Sequence, residues 1–176
     1  MATIRLMGEV KLVEAADLNS FLKETVKTLD FDGDIFVNWN KKDRQFEMEL
    51  TFYAENKEAT LLTDTLGVES TDPVVTFIDE ILIYDKNREK NFDEDDYLVC
   101  LPYDGKNGWS LAEAKAFVSY LQIVLDNGES DLLDFLTDDE KEIFELVWSE
   151  DEYKKIIESN MLSLPNPNNR IKYPKF

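Results

Sequence analysis

Residues 110–148 read SLAEAKAFVSYLQIVLDNGESDLLDFLTDDEKEIFELVW, and the way this stretch divides into elements decides the fold. Ser110 and Glu113 have the spacing of a capping box, in which the hydroxyl accepts from the backbone three residues on and the carboxylate reaches back. Leu111, Ala114, Phe117, Val118, Leu121, Val124 and Leu125 follow in steps of three and four, which turns one helical face toward a core. Asn127-Gly128 offers a stop, because both residues tolerate left-handed backbone. Thr137 with Glu140 repeats the start signal ahead of Ile143, Phe144 and Val147. Ser149 with Glu152 repeats it again ahead of Tyr153, Ile156 and Ile157. The spacing predicts three successive helices, the first two joined by a short helical turn over residues 130–136.

The same region is where acid gathers. From Asp126 to Glu152 there are 12 acidic residues and one basic residue, Lys141, a net −11 out of −19 for the whole chain. Asp131, Asp134 and Asp138 are spaced by three and four, as are Asp138, Glu142 and Glu145. Such a run solvates an outer face. It also offers a basic partner a docking surface, and these five carboxylates are the candidate partner-binding residues.

The 176 residues give room for one domain with a sizeable core. A pI near 4.3 argues against direct binding of nucleic-acid phosphates and against attraction to anionic membranes. It favours basic partners or cations. No apolar run approaches the ~20 residues that span a bilayer. The N-terminal MATIRLMGEVKLVEAADL has neither the unbroken apolar core nor the cleavage site of a signal peptide, so a cytoplasmic location is expected. Cys100, the one cysteine, sits in the apolar run YLVCL and reads as a buried thiol. There is no histidine, which removes Ser-His-Asp and Cys-His catalysis and His-ligated zinc. No cofactor motif is present, and nothing in the sequence sets the oligomeric state.

Outward from the pivot, residues 1–14 read as an N-terminal arm or an extra strand, with Ile4, Leu6, Val10 and Leu12 on one face. Asp17 caps a helix carrying Leu18, Phe21, Leu22, Val26 and Leu29. Ile35, Val37 and Trp39 alternate, then Phe46, Met48, Leu50 and Phe52 answer them across a polar turn, the pattern of an antiparallel hairpin. A third short strand is expected near residues 59–63. Residues 74–84, VVTFIDEILIY, are apolar on both faces and read as a central strand, interrupted by Asp79 and Glu80. Residues 97–103 form a last strand, at an edge because of Pro102. Residues 161–176, rich in Asn and Pro, form an extended tail carrying Arg170, Lys172 and Lys175. One helix, a run of strands, then helices defines a single α+β domain over residues 15–160. The expected sheet is antiparallel, of four or five strands, with the N-terminal helix and the C-terminal helical region packed on it.

Acidic stretches invite comparison with calcium loops. Asp30-Asp32-Asp34 places Ile35, and Asp85-Asn87-Glu89 places Lys90, where glycine is required, so both fail. Asp79 and Glu80 are the carboxylates most open to a raised pKa if buried, and a carboxylate pair can serve as acid and base or hold magnesium. A hydrogen-bonded structural acid is the plainer reading.

The segments FYAENKE (52–58), ILIYD (81–85) and DNGESDLLDFLTDDEKEIFELVW (126–148) resemble a Firmicutes family of small acidic proteins known as domain of unknown function 3013. The likeness covers residues 15–150 and leaves residues 1–14 and the tail outside. It implies a cytoplasmic bacterial protein and carries over no activity and no site residues. The residues themselves point to a non-enzymatic interaction or regulatory protein that binds a basic protein surface. Two alternatives stand beside it: a mimic of nucleic-acid charge that blocks a DNA-binding protein, and a carboxylate-dependent magnesium or manganese hydrolase.

Overall fold

The computed structural model describes residues 16–57, 61–138, 140–141 and 143–175. The expected arm or strand over residues 1–14 lies outside them. Asp17 opens helix α1 (Leu18–Thr28) by accepting the Ser20 N–H at 2.8 Å. Strands β1 (Asp34–Asn40) and β2 (Gln45–Glu55) form the hairpin that the alternation predicts, with Val37 opposite Met48 and Trp39 opposite Phe46. Phe46, Met48, Leu50 and Phe52 all enter the core. Short strands β3 (Leu62–Thr63) and β4 (Glu69–Ser70) pair with each other apart from the main sheet.

Strand β5 (Val74–Asp85) runs between β2 and β6 (Val99–Tyr103), so the main sheet has the order β1-β2-β5-β6. β5 is antiparallel to β2 and parallel to β6. The sheet is therefore mixed, which corrects the expectation of an antiparallel sheet. The cause is the connection over residues 86–98, long enough for the crossover of about a dozen residues that parallel neighbours require. Along it Phe92 packs on Tyr84 and Tyr97, at 4.9 and 6.3 Å between ring centres, and Leu82 on the outer face is fully buried.

After β7 (Trp109–Ser110), the Ser110 cap starts helix α2 (Leu111–Thr137), which runs through Asn127-Gly128 without a break. Packing overrides the stop signal there. A Cβ on Gly128 would lie 2.5 Å from Leu146 and 2.9 Å from Phe52, so glycine serves close approach instead of helix termination. The Thr137–Glu140 signal starts no helix either. The Thr137 hydroxyl donates to the Leu133 carbonyl at 3.0 Å, inside the last turn of α2. A turn closed by the Lys141 N–H on the Asp138 carbonyl at 3.1 Å follows α2, and residues 143–149 then run beside it without helix. Phe144, Leu146 and Trp148 turn inward, while Ile143, Glu145 and Val147 turn out. The period there is two, not the 3.6 of a helix. Ser149 does cap helix α3 (Glu150–Ser163), which passes the boundary expected at Asn160.

The tail then crosses the N-terminal ends of two helices. Strand β8 (Arg170–Ile171) pairs with β7. The carbonyls of Pro167, Asn169 and Lys172 accept the N–H groups of Ala112, Leu111 and Leu18 at 3.1, 2.7 and 2.7 Å. These are first-turn donors that a helix cannot satisfy internally. Ile171 is buried, and Tyr173 packs on Trp39 and Tyr103.

Candidate functional site

The second half of α2 separates a buried face from a strongly acidic one. Leu132 and Leu136 are buried, whereas Asp131, Leu133 and Asp134 stand in solvent. Asp134 meets Lys141 at 3.6 Å, a solvent-exposed pair. Asp138 ends the helix, donating its N–H to the Asp134 carbonyl at 2.9 Å, and its carboxylate accepts the Glu140 N–H at 3.0 Å. Glu145 is exposed on the extended segment, between Ile143 and Val147, which are 74% and 68% exposed. Glu142 lies outside the described residues. Asp131, Asp134 and Asp138 thus follow one helix to its last turn, while Glu145, on the segment after it, does not continue that track. The single helical row of carboxylates is replaced by a patch in which acids alternate with large aliphatic side chains.

Beside this patch an open groove of about 390 Å³ lies between α2, the end of β2 and the loop before β1. Its apolar lining includes Phe31, Phe52, Leu132, Leu133 and Leu136. The loop is held against the helix by the Asp32 N–H, which donates to Glu129 at 2.9 Å, and by the Asp30 N–H, which donates to Gln122 at 2.8 Å. Phe31 and Phe52 meet edge-on at 4.8 Å. At the mouth are Asp32, Glu55 and Glu129, with Lys57 placed 3.6 Å from Glu55. Tyr53 donates its hydroxyl to Asp34 at 2.8 Å, a bond that raises the phenol pKa. Sequence reading missed the groove because three distant segments build it. The DLLDFL run at 131–136 was its one local trace, since it has more leucine than a single buried stripe needs.

Asp79 and Glu80 fall on opposite faces of β5, as successive strand residues must. Asp79 lies opposite Leu50 on the core face, and burial raises its pKa, partly offset by the Glu80 N–H, which donates to its carboxylate at 2.8 Å. Glu80 lies opposite Glu49 on the outer face, raised by burial first and then by Glu47, Glu49 and Asp79. The two do not converge as a catalytic pair. Cys100 is half-buried, and burial pushes its thiol up to about 11, far from a reactive thiolate. One acid in each of the two loop-like stretches is engaged in structure. Asp34 accepts from Tyr53, and buried Asp85 faces Arg44 at 3.6 Å. Among the described residues no three His, Cys, Asp or Glu side chains are grouped to hold a metal ion. No helix among them is long and apolar enough to cross a membrane.

The N-terminal helix, the four-stranded mixed sheet and the C-terminal helices make this a mixed α+β protein. The chain is a member of the family described as protein of unknown function DUF3013, matching it over residues 13–175. The match extends past the segments that suggested it and takes in the tail. A crystal structure of a conserved protein of unknown function from Enterococcus faecalis is similar at 32% identity, with a TM-score of 0.79 over 91% of this chain and 96% of that one. No functionally curated protein shows significant similarity to the chain.

Proposed function

We propose that the protein is a non-enzymatic interaction or regulatory protein whose acidic patch, including Asp131, Asp134, Asp138 and Glu145, binds a basic protein surface. The observation that carries this is the exposure of Ile143 and Val147 on either side of Glu145. A face that only needs hydration gains nothing from two large aliphatic side chains in water, whereas a protein interface uses them at its core. Acids around them set which partner approaches and how fast. The interrupted helical track favours this over imitation of a regular phosphate row, which needs evenly repeated charge.

The test compares the native protein with a variant carrying Asp131→Asn, Asp134→Asn and Glu145→Gln as bait in affinity capture from a bacterial lysate. The expected result is a basic protein retained at low salt by the native bait, released at high salt and not retained by the variant. Surface attraction is screened within about 10 Å at 0.1 M salt. A partner held equally by both baits, or indifferent to salt, rules out the acidic patch. Displacement of that partner by added DNA would favour the mimic instead.

A further inference from the structure

The groove beside the acidic patch has a chemistry that the patch does not. Phe52, Leu132 and Leu136 are buried at its base, and Leu133, 55% exposed, and Tyr53, 49% exposed, stand at its lip. Its volume of about 390 Å³ falls at the lower end of ligand pockets, roughly 300–1,000 Å³. That is room for one or two large side chains and too little for a folded surface. The mouth carries three carboxylates, Asp32, Glu55 and Glu129, against Lys57, and Lys57 lies beside Glu55. An apolar recess with an acidic mouth repels anionic ligands and suits an apolar group flanked by positive charge.

We infer that the groove takes a large aliphatic or aromatic side chain from a short linear segment of the partner, with Lys or Arg residues on either side of it. This rests on the reading of the chain as a binder of basic protein and adds what anchors the partner. The apolar side chain fills the space between Leu133 and Phe31, and its cationic neighbours meet Asp32 and Glu55 at the mouth. Burial of the side chain supplies a contribution that salt does not screen, while the flanking charges supply one that it does. A helical or extended segment is equally served, because one anchor and two flanks are what the recess can hold.

The experiment uses the full chain and two fluorescein-labelled synthetic peptides, one of alternating Leu and Lys, the other with every Leu replaced by Ser. Fluorescence anisotropy is read at about 150 mM salt, with a Debye length of ~8 Å. The Leu-Lys peptide is expected to bind about tenfold tighter or more than the Ser-Lys peptide. Leu133→Glu should weaken the Leu-Lys peptide by a similar factor and leave the Ser-Lys peptide unweakened. Leu133→Trp, which fills the recess instead of charging it, should act likewise on the Leu-Lys peptide. Leu133 is exposed, so melting curves of both variants are expected to match the native protein. Equal binding of the two peptides, or Leu-Lys binding indifferent to both variants, overturns the groove assignment and leaves the acidic-patch reading standing. No binding of either peptide overturns both. Tighter binding of a peptide of residues 1–15, or a dimer that Leu133→Glu converts to monomer in sedimentation, would make the occupant the chain itself and overturn the proposal.

Discussion

Gly128 and Asp79 show how single side chains answer to neighbours distant in sequence. Gly128 sits in mid-helix, where alanine is ordinarily favoured by about 1 kcal/mol. Here Leu146 and Phe52 occupy the space a Cβ would need, at 2.5 and 2.9 Å. Gly128→Val should therefore destabilise by about 1–3 kcal/mol through overpacking, and denaturant titration would show the midpoint fall. A midpoint that rises, as propensity alone demands, would mean that Leu146 does not pack there. Asp79 works through charge. Burial raises its folded pKa above the ordinary 3.8, so between those two values the folded chain holds more protons than the unfolded one. Stability then falls as pH rises through that window, and the loss persists above it. Asp79→Asn keeps an acceptor for the Glu80 N–H and removes the charge. Its melting temperature should gain on the native protein as pH rises from about 4 toward neutral. A difference between the two proteins that is constant with pH would show that Asp79 carries no burial penalty.

The tail and the 138–149 segment are the elements whose structure depends most on the rest of the chain. The tail gives carbonyls to the first turns of α1 and α2 and buries Ile171. Burying such a side chain is worth roughly 1.5–3 kcal/mol, and each hydrogen bond a net ~0.5–1.5 kcal/mol. Truncation after Ser163 should cost at least about 3 kcal/mol and lower the melting temperature accordingly. Gly108→Ala should act in the same direction. Gly108 has φ +74, and a Cβ there would lie 1.9 Å from the Ile171 carbonyl oxygen, so β7 and β8 could not stay paired. Unchanged melting with rapid proteolysis of the native tail would instead mark an ordinary loose terminus. Caps at Asp17, Ser110 and Ser149 were legible in the sequence because each rests on a side chain within three residues. Thr137 carried the same signal and failed, because Phe144, Leu146 and Trp148 fit an extended run against α2 as readily as Ile143, Phe144 and Val147 fit a helix. The β1–β2 hairpin was legible through alternation and β5 through its apolar run, whereas the two-residue strands β4 and β7 are too short to leave a pattern. The direction of β6 was not legible either, since local pattern is blind to direction, and the length of the connection over residues 86–98 was the available clue. The groove was illegible for the same reason that its parts are distant.

At the scale of the whole molecule, charge is the feature that packing does not explain. A net charge of −19 opposes folding through self-repulsion, and the stretch from Asp126 to Glu152 holds more than half of it. Among the described residues few local contacts offset this repulsion in the candidate patch. Asp134 has its exposed pairing with Lys141, and such pairs give only ~0–1 kcal/mol. Neutralising Asp131, Asp134 and Glu145 to Asn, Asn and Gln should therefore stabilise the protein at low ionic strength. The gain should shrink as salt rises, since the Debye length falls from ~30 Å at 0.01 M to ~3 Å at 1 M. Thermal melts of the native and triple-variant proteins across that range would measure it. A variant that is more stable yet loses its partner would show that these carboxylates are kept at a cost in stability for the sake of binding. A variant no more stable at low salt than the native protein would mean that the patch imposes no such cost, and its acids would then need no functional explanation.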